Sequence, residues 1–462
     1  MILSISIRLV GLGDHSLWID EAGTASLVET YLNEGIPQYP SGIESNRSKP
    51  FMFLVAMSVF LFGLNDFALR LPSALISVLT IFMVFKWSNE VLSYKISLLA
   101  STLISLSSWH VAMSQNARMY IMFQFLYFMT FYFLYKYIKR RKMFYLPFIL
   151  IFMSLSILTH ITGYILLFTV PILILVSSDI SIKSELIKLI PIVAVAGVIA
   201  EIFYFEVSYL FTKLELHPSS AVEHIMWLFT ELTFFTLLGF FGLRNMFMKD
   251  EDLFYSYIVA IFPPMSIYFF FVDLAASRYL FFILPFLVIT SSSFLFRIWQ
   301  KYGLNSFRSV SIIIVLFLMF LVSSGNPLNN QLGSHSPQPD FKSAYSFVES
   351  HSNVSRDEVV LIAGRPLPAD HYLMTPDYVL VEKGLRDRIF ANGTEFYSGS
   401  PTIDSRRDLS RAVGKHETGW VVATDTLERG MNDSLMNEIQ KLDMVKSGRD
   451  IKVWMWDANY SR

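Results

Sequence analysis

Along most of this chain apolar residues do not alternate with polar ones. They run in unbroken stretches, and the stretches recur. Runs near 67–87, 96–114, 117–138, 144–159, 163–178, 186–206, 224–242, 253–272, 279–296 and 309–324 have the length and composition of helices that cross a hydrocarbon layer ~30 Å thick. A shorter run covers Met1 to about Leu12. No basic n-region or small-residue cleavage site surrounds it, so it does not read as a signal peptide, and the expectation is either a cramped first helix or, the favoured reading, one whose beginning lies upstream of Met1. Phe51–Gly63 is apolar over too few residues to span and predicts an interfacial or re-entrant helix. The stretch from Pro327 to Pro339 has the composition of a linker.

Beyond that linker the pattern changes. Val359–Ala363 and Trp420–Thr424 are short continuous apolar runs, as buried strands have. Leu427, Met431, Leu435 and Ile439 repeat at helical spacing, which predicts one helix from Leu427 to Leu442. Val445–Trp456 reads as a hairpin turning at Ser447-Gly448-Arg449-Asp450. The expected fold class is therefore a polytopic α-helical membrane protein of about 11 spans over 1–326, a linker over 327–339, and a small α/β domain over 340–462.

Composition agrees. Of 462 residues 53% are hydrophobic and 16% charged, and the mean hydropathy is +0.47. An ordinary soluble domain carries roughly 25% charged residues. The formal net charge of −1, with no dominant basic block, excludes a nucleic-acid partner, and the absence of cysteine excludes disulfides, zinc–thiolate sites and thiol nucleophiles. About 35 of the 75 charged residues follow residue 339. The cluster Lys139-Arg140-Arg141-Lys142 is expected on the cytoplasmic side. Alternation from it places Lys86, Lys95, Lys183, Lys188, Arg244, Lys249, Arg297, Lys301 and Arg308 there too. The loop 13–66, the turns at 114–118, 160–163 and 273–278, the loop 207–223 and the C-terminal domain then lie outside. Asn46, Asn353, Asn392 and Asn432, each in an Asn-x-Ser/Thr triplet, all fall on that outer side.

In so apolar a chain, ionisable residues at membrane boundaries are the informative ones. Asp20 and Glu21 follow Leu17-Trp18-Ile19. They suit either the first turn of a helix over Ala22–Asn33 or, for a carboxylate beside a low-dielectric wall, general-base work. Lys49 suits snorkelling or a lipid phosphate. Asp66 and Arg70, four apart, predict an intrahelical pair. Arg118 and Tyr120 start a long span at an outer turn, and Arg278 with Tyr279 starts another, where a guanidinium can offer its fork to phosphate. His160 in its tight turn and Glu201 near the outer end of its span are possible accessory groups, the histidine more often structural; Glu206 and His217 lie nearby. Asp20, Lys49, Arg118, His160, Glu201 and Arg278 converge on one leaflet by topology alone. One base and several cations there suit group transfer from a lipid-linked phosphate. The C-terminal domain has no Gly-x-Gly-x-x-Gly or P-loop, and its expected role is structural or acceptor-guiding.

Three ordered motifs carry a resemblance: Ser16-Leu-Trp-Ile-Asp-Glu-Ala22, Leu61-Phe-Gly-Leu-Asn-Asp-Phe-Ala-Leu-Arg-Leu-Pro-Ser-Ala74 and Met113-Ser-Gln-Asn-Ala-Arg-Met-Tyr120. With Ser277–Pro285 they resemble the dolichyl-phosphate-mannose-protein mannosyltransferase-like family. That group of GT-C fold membrane glycosyltransferases includes the lipid A aminoarabinose transferases. The resemblance implies an inverting transferase that uses a polyprenyl- or dolichyl-phosphate sugar on the external face, with a glycan, protein or lipid acceptor. By position Asp20 would be the base and Glu21 its support. Lys49 before Pro50 would contact the phosphate, and Arg118, Tyr120, Arg278 and Tyr279 would line the lipid-phosphate path. A divalent cation is the one cofactor the resemblance admits, but Phe51 replaces a second proline and Arg47-Ser48 supplies no metal ligand. A lipid-linked sugar transporter without catalysis is the alternative; it predicts polar groups at mid-membrane, which the sequence lacks. No Trp-Trp-Asp motif marks an asparagine-directed oligosaccharyltransferase.

Overall fold

The computed structural model describes residues 1–45, 47–177, 191, 194, 195, 198, 235–271, 277–302, 339–352, 360–381, 389–390 and 392–457. The expected span at 309–324, most of those at 186–206 and 224–242 and nearly all of the linker lie outside these residues.

The N-terminal part is helical. α1 (Ile2–Leu9) leads through a turn into α2 (Ile19–Glu34), then come α3 (Lys49–Phe62), α4 (Asp66–Val91), α5 (Tyr94–Leu106), α6 (Ser108–Ser114), α7 (Tyr120–Arg140), α8 (Leu146–Thr159) and α9 (Leu166–Val176). Among the described residues three helices are long and apolar enough to cross a membrane, Asp66–Val91, Glu251–Phe270 and Arg278–Lys301. The run expected as one span over 96–114 is instead a pair, α5 and α6, bent by 62°. Its cause is Ser107, which leaves the helical conformation and whose hydroxyl caps α6 by accepting the His110 N–H at 3.4 Å. α3 is short, as expected for an element that does not span, and exposes Phe53, Phe60, Leu61 and Phe62.

α4 is the axis of the bundle, about 39 Å long at 1.5 Å per residue. Asn65 caps its start by accepting the Ala68 N–H. Near its far end the fully buried Trp87 is ringed by Phe128, Tyr132, Tyr135, Tyr257 and Phe286, with centroids 4.9–6.1 Å away. Of the basic residues expected to share one side, Lys95, Lys139 and Lys249 lie at that end, with Lys136 beside them. Lys136 pairs with Glu90, Lys139 with Asp250 and Asp252, Lys249 donates to the Leu92 carbonyl, and Lys95 lies over Trp299.

At the other end sits an α/β layer. Six strands, β1 (Leu361–Ala363), β2 (Tyr378–Leu380), β3 (Thr402–Ile403), β4 (Thr418–Thr424), β5 (Asp443–Gly448) and β6 (Ile451–Asp457), form a sheet of order β3-β2-β1-β4-β6-β5. The pairs β3–β2, β2–β1 and β1–β4 are parallel, β4 pairs antiparallel with β6, and β5–β6 is the expected hairpin. β1 is buried along its whole length because both faces of the sheet are covered. The single helix expected over Leu427–Leu442 is two, Asp425–Gly430 and Asp433–Ile439. Asn432 breaks it by capping the second, its side chain accepting the Ser434 N–H. The sheet domain meets the bundle through the helix Pro366–Tyr372, which packs along α2; Leu367 joins the bundle core and Ile19 touches the sheet core.

Candidate active site

α2 begins where the chain turns onto the bundle at Trp18, and its first turn carries both acids of the Asp-Glu pair. Successive side chains diverge by about 100° on a helix, and the two go to different places. Glu21 is fully buried. Its Oε1 accepts from Arg70 Nε at 2.9 Å and from the Ala117 N–H at 2.7 Å, and its Oε2 accepts from Arg70 Nη2 and the Trp18 N–H, both at 2.9 Å. Arg70 is equally buried and spends its other N–H groups on the carbonyls of Leu12, His15 and Ser16. This bidentate pair ties α2, α4 and the chain before α7 together. The expected Asp66–Arg70 pair does not form. Asp66 faces the sheet domain, where Lys342 Nζ, His371 Nε2 and the Tyr372 hydroxyl lie 3.1–3.2 Å from its oxygens.

Asp20 points the other way and is 38% exposed. Arg118 Nη2 lies 3.9 Å from its Oδ2, while Arg118 Nη1 donates to its backbone carbonyl at 3.2 Å. Arg118 is placed by the turn after α6, where Ala117 is held by Glu21, so the structural acid sets the cation that faces its neighbour. Arg118 also lies over the Tyr120 ring, 6.0 Å from its centroid. Arg278 lies over Trp18 at 5.2 Å and over Tyr279 at 5.5 Å. Nε of both Arg118 and Arg278 is buried without a hydrogen-bond partner, so each guanidinium keeps an unspent donor.

An aromatic cluster stands beside these cations. Tyr120, His160 and Tyr279 lie within 5.8–6.5 Å of one another, and Phe123 is 5.2 Å from His160. The His160 turn is tight because a Cβ on Gly163 would come 2.6 Å from the Ser156 carbonyl oxygen, so only glycine fits. His160 Nδ1 accepts the Thr162 N–H, which puts the ring proton on Nε2. Burial, with the nearby Arg118 charge, pushes the His160 pKa down to about 4, so the ring is neutral at neutral pH. Lys49 begins α3 immediately after Ser48, whose hydroxyl donates to the Thr159 carbonyl, so the backbone before Lys49 is anchored beside the His160 turn. Tyr39 crosses over from the loop after α2 and packs edge-on against Tyr397 of the sheet domain at 4.9 Å. Burial, with Tyr397 beside it, pushes its pKa up to about 12.

The sequence-expected residues Asp20, Arg118, Tyr120, His160, Arg278 and Tyr279 thus come together, with Glu21 behind them. Glu201, Glu206 and His217 lie outside the described residues. Trp18, Tyr39 and Tyr397 were not anticipated, and Arg70 was expected to pair with Asp66 rather than Glu21; adjacency to Asp20 was a usable signal for Trp18, and nothing local marks Tyr39 or Tyr397. Among the described residues the donors do not fit a divalent ion. Asp20 faces arginines, Glu21 is saturated, and among the described residues no three His, Asp or Glu side chains converge. No step is routed through one.

A helical bundle packed around α4, with the bent α5–α6 pair and an α/β domain docked on α2, has the architecture of a GT-C fold membrane protein. Its structure is similar to that of ArnT from Cupriavidus metallidurans in the apo state, with a TM-score of 0.63, 13% identity, and 99% of this chain and 97% of that one covered. The same enzyme bound to undecaprenyl phosphate gives a TM-score of 0.60, 12% identity, and 98% and 96% coverage. The oligosaccharyltransferase AglB from Archaeoglobus fulgidus, in complex with an inhibitory peptide and a dolichol-phosphate, gives 0.58, 11% identity, and 96% and 71% coverage. Over residues 48–204 the chain matches the model of the dolichyl-phosphate-mannose-protein mannosyltransferase family, the family its motifs resemble. No curated protein matches the chain by sequence.

Proposed function

We propose that this protein is a membrane glycosyltransferase that moves a sugar from a polyprenyl- or dolichyl-phosphate donor to the hydroxyl of a glycan, protein or lipid acceptor on the extracytoplasmic side. The observation that carries this reading is one solvent-reachable carboxylate, Asp20, set against a half-buried guanidinium, Arg118, at the membrane end that carries the sheet domain. Arg278 and the Tyr120–His160–Tyr279 cluster extend the same site. ArnT and AglB, the fold neighbours, were solved with undecaprenyl phosphate and dolichol-phosphate respectively.

In the reaction Asp20 accepts the proton of the acceptor hydroxyl as its oxygen attacks the anomeric carbon. The bond from that carbon to the phosphate oxygen breaks, and the phosphate leaves with the electron pair. A single in-line displacement inverts the configuration. Arg118, Arg278 and Lys49 stabilise the phosphate charge that develops, at a partly buried site where such stabilisation is worth more than in water. Glu21 acts from behind by fixing α2.

The test is transfer from a polyprenyl-phosphate sugar in membranes. Asp20→Asn keeps the shape and removes the base, and is expected to lower the rate by roughly 10²–10⁴-fold with normal expression. Undiminished transfer would remove Asp20 from the chemistry.

A further inference from the structure

The strand leading into α2, residues 12–18, is gripped from two sides. From the bundle, Arg70 donates to the carbonyls of Leu12, His15 and Ser16. From the sheet domain, the Ser16 hydroxyl donates to Asp340 Oδ1 and accepts the Lys342 N–H, and Lys342 Nζ reaches the Gly13 carbonyl. Tyr372 completes this second grip. Its hydroxyl accepts the Leu17 N–H at 2.6 Å and donates to Asp66 Oδ2 at 3.2 Å. One phenol therefore joins the end of the Pro366–Tyr372 helix, the first residue of α4 and a backbone amide three residues before Asp20.

We propose that Tyr372 is a positioning residue, through which the sheet domain sets the geometry of Asp20; this rests on the transferase reading above. The physical route is short. Leu17 precedes Trp18, whose indole carries Arg278 and whose N–H is held by Glu21; Asp20 follows in the same helical turn. With the Leu17 amide released, Trp18 and the first turn of α2 lose one of their fixed points, and both the base and the cation opposite it move. Misplacement by ~1 Å is enough to slow an oriented reaction by up to ~10²-fold. The sheet domain is then part of the catalytic apparatus without contributing a reacting group, and its docking is a requirement for turnover.

Tyr372→Phe removes both hydrogen bonds and keeps the ring. In full-length protein assayed with a polyprenyl-phosphate sugar, kcat is expected to fall tenfold or more while donor KM stays within about twofold. In an Asp20→Asn background the same change is expected to cost clearly less than in the wild type, because the larger part of its effect runs through Asp20 and only the part carried by Trp18 and Arg278 remains. Hydrogen exchange of the segment 12–20 is expected to accelerate, with that of β4 and β6 unchanged. Asp66→Asn, which loosens the phenol but leaves the Leu17 bond, gives the same pattern at smaller size and serves where Tyr372→Phe folds poorly. Unchanged kcat, an equal loss in the Asp20→Asn background, or unaltered exchange over 12–20 overturns the proposal. Should the wild type transfer no sugar, the transferase reading fails, and the exchange result alone decides whether Tyr372 holds this segment.

Discussion

Two adjacent carboxylates can do opposite work, and Asp20 and Glu21 do. Glu21 is fully buried and receives four donors, two of them from Arg70, itself buried. Glutamine there keeps the volume but removes the charge and turns an amide N–H₂ toward N–H donors. Arg70 is left as an uncompensated buried cation, a situation that costs about 3–5 kcal/mol. Thermal unfolding in detergent should show Glu21→Gln strongly destabilised. Asp20→Asn should unfold close to wild type, since a half-exposed pair at 3.9 Å contributes at most about 1 kcal/mol. Comparable melting of the two variants would show that the division of labour is wrong. The divergence of the two side chains was legible in the sequence, because it follows from helix geometry. The partner of Glu21 was not, because Arg70 is remote in the chain and the spacing rule offered Asp66 instead. That rule fails here for a physical reason: each member of the expected pair has a better-placed tertiary partner, Glu21 for Arg70 and Lys342, His371 and Tyr372 for Asp66.

At the scale of elements, apolar length predicted where helices run but not where they break. The run over 96–114 carries no Asp, Glu, Lys or Arg to mark a boundary, and its break at Ser107 is held from elsewhere, by α1. Arg8 is fully buried in the bundle. Its Nε bonds the Ser77 hydroxyl, Nη1 donates to the carbonyls of Ser4 and Ser105, and Nη2 lies 2.8 Å from His110 Nδ1. Among the described residues no carboxylate pairs with it. The Ser105 carbonyl belongs to the last turn of α5, where the bend removes intrahelical donors, so Arg8 supplies what the broken helix lacks. The α5–α6 bend in turn leads to Ala117 and Arg118. Replacement by methionine removes an unpaired buried charge, which is favourable, but orphans the Ser105 carbonyl, the Ser77 hydroxyl and His110 Nδ1 at about 1–3 kcal/mol each. The orphaned groups win. Arg8→Met is expected to lose a few kcal/mol, on the order of 2–4, and to speed hydrogen exchange over 105–118. A variant that melts and exchanges like the wild type would show that the bend does not need its arginine. Arg8 went unremarked in the sequence because a short, capless apolar run gives no reason to expect a buried cation.

For the molecule as a whole, the sequence showed which regions share a side, because charge and apolar length report on solvent. It could not show how the sheet domain docks, because Tyr372, Lys342 and Asp340 act through single hydrogen bonds to a loop more than three hundred residues earlier. The site that results has a consequence for the pH response of the entire fold. His160 is 8% exposed, and its pKa falls to about 4 through burial first and the Arg118 charge second. The unfolded chain, with a histidine pKa near 6.5, binds the proton that the native state refuses. Stability from this group is therefore complete above about pH 6.5, declines as pH falls from about 6.5 to 4, and is lost below. The full span is worth about 3 kcal/mol. Carboxylates also titrate in this window, so the informative quantity is a difference. Melting temperatures of wild type and His160→Gln, measured side by side from pH 7.5 to 4.5, should converge as pH falls, with the wild type losing its advantage. Parallel curves would mean that His160 reaches solvent and takes up its proton without disturbing the aromatic cluster, and the site would then be wet rather than dry.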